Sequence, residues 1–116
     1  MAVLSRDQIL KAEDTQTESV SVPEWGGEVI VKTMTGHARD RFESQIVGKN
    51  GGTDMNNIRA KLAAATIVDE KGELLFSEAD VAKLGKKSAA ALDRVFAAAQ
   101  RLNRISDGDV EELAKN

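Results

Sequence analysis

The segment Val22-Pro23-Glu24-Trp25-Gly26-Gly27 constrains this chain more than any other. Proline fixes φ and removes a backbone donor, while glycine admits positive φ, so neither a helix nor a continuous strand can run through it. On each side the residues alternate. Val20 and Val22 share one face of Glu18–Val22, and Val29 and Val31 lie opposite Ile30 in the run from Glu28 to Thr33. Alternating runs on either side of a turn predict a β-hairpin with Trp25 near its tip.

The rest of the chain reads mostly as helix. Ser5 and Gln8 form a capping box ahead of a short helix from Arg6 to about Glu13. Ile9 and Leu10 on that arm have little to bury against, which suits docking on a partner. Thr35 caps a helix to about Val47, with Ala38, Phe42 and Ile46 at helical spacing. Gly48–Thr53 reads as a flexible loop centred on Gly51. Asp54 is the expected cap of a helix to Ala65 carrying Met55, Ile58 and Leu62 on one side. Ile67-Val68 and Leu74-Leu75-Phe76 flank a polar turn and predict a second small hairpin, able to extend the first into one sheet.

Ser77 to Asp80 forms another capping box, and its brief helix stops at Gly85, read as a left-handed C-terminal cap. Ser88 caps the most strongly patterned helix, from Ala89 to Asn103, with Leu92, Val95, Phe96, Ala99 and Leu102 on its apolar stripe. Ser106 to Asp109 begins a last short helix through Lys115. The expected fold is therefore α+β, a small antiparallel hairpin sheet packed with four or more helices. An N-terminal helical arm, residues 1–17, precedes a single domain over 18–116.

Composition narrows the function. At 116 residues the chain holds one hydrophobic core, and aromatics make up only 3% of the sequence. Alanine takes their place, which implies modest stability and close helix contacts. A net charge of -3 with scattered basic residues argues against nucleic acid. The lack of cysteine removes disulfides and thiolate chemistry, and no apolar run is long enough for a membrane span.

The catalytic motifs fail on spacing. His37 is the sole histidine and opens a helix with no ligand or base partner nearby in sequence. A calcium loop starting at Asp69 needs glycine at its sixth position, where Leu74 stands. Lys49 is followed by Asn50 instead of the Ser or Thr of a phosphate loop. A helix-turn-helix reading of Glu78–Leu84 and Ala89–Asn103 is weakened by Ala89-Ala90-Ala91, which offer few groups to base edges. No catalytic residue, metal ligand or cofactor is assigned, and the chain reads as a binding protein, not an enzyme. Trp25 has two readings: it closes one end of the core, or it anchors a partner, as tryptophan does at interface hot spots.

Two segments carry a resemblance. VPEWGG at Val22–Gly27 and VKTMTGHARDRFE at Val31–Glu43 resemble the tail assembly chaperones of long, non-contractile-tailed (lambda-like) bacteriophages. Leu62 to Asn103 is similar too, through its valine-aspartate turn, its Leu-Phe-Ser cap, and Ser-Ala-Ala-Ala-Leu-Asp-Arg on the long helix.

The resemblance implies an assembly factor of the host cytoplasm. It would bind the tape measure protein while the tail tube forms and be absent from the mature virion. It also implies a longer form, made by ribosomal frameshifting, that reaches the major tail protein. An alternative is a structural tail or head-completion protein retained in the virion. Candidate protein-binding residues are Ile9, Leu10, Trp25, Gly51, Leu92 and Phe96. Weak homo-oligomers are expected from the Ala-rich composition and a filament-like partner.

Overall fold

Alternation becomes pairing at the centre of the molecule. In the computed structural model, which describes residues 2–47 and 54–105, β1 (Thr17–Val22) pairs antiparallel with β2 (Gly27–Lys32). Val20 stands opposite Val29 and Val22 opposite Gly27. The reversal is one 3-10 turn, Pro23–Trp25, closed by Gly26 at φ 77°, a left-handed conformation that glycine adopts without strain. β3 (Ile67–Val68) adds to the free side of β2, with Val31 opposite Ile67 and Ile30 opposite Val68. The sheet order is β1-β2-β3. The predicted second hairpin exists in reduced form, as a bridge between Val68 and Leu74 around the turn at Gly72.

Five α-helices surround the sheet among the described residues: α1 (Arg6–Lys11), α2 (Gly36–Ile46), α3 (Ile58–Thr66), α4 (Val81–Leu84) and α5 (Ala89–Leu102). The fold is α+β. Thr35 caps α2 by accepting from Ala38 N–H, and Ser88 caps α5 by accepting from Ala91 N–H. The sheet, α2, α3 and α5 give their apolar sides to one core, α4 rests on a smaller cluster, and α1 buries none of its residues. Val22 and Val31 come from the sheet, Phe42 and Ile46 from α2, and Leu62 from α3. Ile67 comes from β3, and Leu92, Val95 and Ala99 from α5. Burying a side chain of the Val, Leu, Ile or Phe kind stabilises by about 1.5–3 kcal/mol. Ala60, Ala63 and Ala64 of α3 and Ala91, Ala98 and Ala99 of α5 are also buried. These buried alanines serve internal helix packing, α3 against α5 and, through Ala60 and Ala64, α3 against α4.

Two local expectations are corrected. α3 begins at Ile58, not at residue 55, because Asp54 accepts from Asn56 N–H in a turn and Asn57 follows at φ 55°. Met55 therefore lies outside the helix. Gly85 is not left-handed: its φ is -62°. A Cβ there would lie 2.6 Å from Asn57 Oδ1, the end of an exposed side chain that would have to turn aside. The predicted loop Gly48–Thr53 and the predicted last helix fall outside the described residues.

Ion pairs tie α5 to the hairpin. Arg94 Nε donates to both carboxylate oxygens of Glu24, at 2.9 and 3.2 Å, and Arg101 pairs with Glu18 of β1. Asn103 closes the far end: its Oδ1 accepts from Met34 N–H at 2.6 Å while its Nδ2 donates to Ala99 O.

Candidate protein-binding surface

The most exposed apolar side chains sit on the N-terminal arm. Val3 is 96% exposed, Leu4 62%, Ile9 56% and Leu10 66%, and α1 buries none of its residues. The helix nevertheless has its complete capping box: Ser5 Oγ accepts from Gln8 N–H, and Gln8 Oε1 accepts from Ser5 N–H. Leu4 and Ile9 occupy the positions of a hydrophobic staple around that cap. A six-residue helix is too short to persist in water by propensity alone. The arm therefore displays an apolar surface suited to docking.

The other sequence-selected residues part company. Trp25 is half-buried and packs on the core, so it does help close that end. Its other side lines an open groove of about 510 Å³ with Phe76, Asp80, Lys83, Leu84 and Lys87. Leu92 is 4% exposed and belongs to the core, so it offers nothing to a partner in the folded chain. Phe96 is half-buried against the same core. Gly51 lies outside the described residues. The solvent side of α5 carries Asp93, Arg94 and Arg101, each held in an ion pair, with Arg59, Glu24 and Glu18 respectively.

Glu24 is the titratable group most affected by this packing. The hydrogen bond from Arg94 lowers its pKa below the ordinary glutamate range, with help from a backbone hydrogen bond. His37 is exposed in the first turn of α2. Among the described residues, no group of three or more His, Cys, Asp or Glu is placed to hold a metal ion, and no helix is long and apolar enough to cross a membrane.

Sequence reasoning missed the groove. The sequence pattern puts Phe76 in a strand and Leu84 in a brief helix; only folding brings them beside Trp25. Leu74 and Leu75, 49% and 53% exposed, form a further apolar tip. Their signal was present in the sequence, as an apolar pair with no strand partner long enough to cover it.

The family model for phage tail assembly chaperones matches residues 6–116, nearly the whole chain. The chain belongs to the phage tail assembly chaperone family. Its fold agrees with the solved structure of the bacteriophage HK97 tail assembly chaperone, at a TM-score of 0.59 and 20% sequence identity. That match covers 87% of this chain and 95% of the HK97 chain. No curated protein matches the chain in sequence. For a tail assembly chaperone, an exposed apolar arm and an open groove are the natural places to look for partner contacts.

Proposed function

We propose that this protein binds the tape measure protein of its phage in the host cytoplasm, keeps it soluble while the tail tube polymerises, and leaves before the virion is complete. Membership of the tail assembly chaperone family carries this reading. The role is one of binding, not catalysis. Residues 1–17 act as a docking arm on the domain formed by the rest, through Val3, Leu4, Ile9 and Leu10, whose exposure supports it. Weak self-association through the same arm belongs to this reading. So does a longer frameshifted form that adds contact with the major tail protein.

The test is co-expression of the tape measure protein with and without this chain, followed by solubility and affinity pull-down. The chain is expected to raise the soluble fraction and to co-purify, while purified virions lack it. Recovery of the chain in virions, with no effect on tape measure solubility, would instead establish a structural component of the tail or head.

A further inference from the structure

We infer that the groove between the hairpin tip and α4 is a binding site for an amphipathic helix that carries acidic residues beside its apolar stripe. This rests on the chaperone reading, and the helix is then a segment of the tape measure protein. The floor is Trp25, Phe76 and Leu84. Phe76 is half-buried and touches both the main core and the smaller cluster of Ala60, Ala64, Val81 and Leu84, so the floor is anchored from beneath. An apolar floor between short helical walls takes a helix by its i, i+3 and i+4 side chains.

Charge decides which helix. Arg6, Arg39, Arg41, Arg59, Arg94 and Arg101 all hold acidic partners within this chain. Lys83 and Lys87 on the groove and the adjacent Lys86 are exposed, and among the described residues their side chains hold none. Asp80 is the one acidic group on the groove lining and accepts from Ser77 N–H at 2.9 Å, so the two lysines there outnumber it, while Glu24, next to Trp25 in sequence, is held by Arg94. The chain as a whole carries a net charge of -3, yet the groove offers the ammonium groups of Lys83 and Lys87 beside an apolar surface, neither paired among the described residues. That combination complements carboxylates flanking a hydrophobic stripe and repels a basic amphipathic helix.

Trp25 is the sole tryptophan and the chain has no tyrosine, so its emission reports directly on the groove. The experiment titrates the full chain with overlapping synthetic peptides covering the tape measure protein. Two model helices, with leucine at i, i+3, i+4 and i+7 and either glutamate or lysine flanks, accompany them. Peptides with acidic flanks are expected to blue-shift Trp25 saturably, and the lysine-flanked helix to leave it unchanged. The double substitution Lys83→Glu, Lys87→Glu, on exposed positions, should weaken acidic peptides by about tenfold and admit the lysine-flanked helix. A melting temperature equal to wild type checks that the variant folds.

Peptide binding that ignores the charge reversal, or no Trp25 response to any peptide, overturns the inference. So does a Trp25 shift that grows with protein concentration alone, because a second copy would then fill the groove. Co-expression separates the two levels. If the tape measure protein co-purifies equally with wild type and double variant, the groove assignment falls and the chaperone reading stands. If it co-purifies with neither, the chaperone reading falls, and the model helices still decide whether the groove binds acidic helices.

Discussion

Trp25 packs on the core and also lines an open groove. Pro23 and Gly26 place it at a turn, which any reading of VPEWGG would recover. The groove it lines depends on Phe76 and Leu84, more than fifty residues away, and local pattern says nothing about them. Because Trp25 is half-buried, Trp25→Ala should lower unfolding stability by about 2 kcal/mol, less than the 3–5 kcal/mol typical of a fully buried large aromatic. Chemical denaturation followed by circular dichroism measures this; an unchanged midpoint would mean that the ring contributes nothing to the core. Glu24 beside it carries a pH dependence. Its folded pKa is depressed, so the stabilisation from its pairing with Arg94 is present above the ordinary glutamate range and is lost as pH falls through the folded value. Stability profiles of wild type and Glu24→Gln should differ most at neutral pH and converge in acid. A constant difference across that range would remove the ion pair as the cause. Gly85 teaches the opposite lesson about legibility. A glycine after a short helix suggests a left-handed cap, but here its φ is -62° and its neighbour is the Asn57 side chain, and proximity in space has no local signature.

At the scale of elements, the sequence was most legible where a cap and a stripe agreed. α2 and α5 follow from Thr35 and Ser88 together with Phe42, Ile46, Leu92 and Val95, and their boundaries match within one residue. α3 was less legible because Asp54 looked like a cap but holds a turn, and Asn57 in a left-handed conformation delays the helix. The helix N-caps also differ in what they support. Ser88 caps a helix whose apolar face fills the core, whereas Ser5 caps one that buries nothing. Ser88→Ala should therefore cost about 1 kcal/mol of global stability. Ser5→Ala should leave the global transition untouched and only fray the arm, lowering any affinity that depends on Ile9 and Leu10. Thermal melts of the two variants test this asymmetry. A melting shift for Ser5→Ala equal to that for Ser88→Ala would mean that the arm packs on the body in solution.

Across the whole molecule, three levels of packing are built into one chain. The sheet, α2, α3 and α5 share the large core around Phe42, Ile46 and Leu62. The segment of α4 rests on a smaller cluster, in which Ala60 and Ala64 meet Val81 and Leu84. Alanine buries little area, so this cluster is the weaker one. α1 buries none of its residues. Local opening free energies follow the apolar area that each opening exposes. Native-state hydrogen exchange should therefore rank amides in that order: α1 fastest, residues 77–87 intermediate, and β2 with α5 slowest, at the global unfolding free energy. Phe76 joins the two clusters, and Phe76→Ala should lower protection in residues 77–87 more than in β2. Uniform protection across β2, α5 and residues 77–87 would show that the small cluster opens only with the whole domain. The groove lies on this boundary, with Trp25 on the more stable side and Leu84 on the less stable one. One wall is thus fixed by the hairpin while the other can yield by a local opening. A site of that kind can accept helices of differing side-chain size by moving α4 while the sheet stays closed.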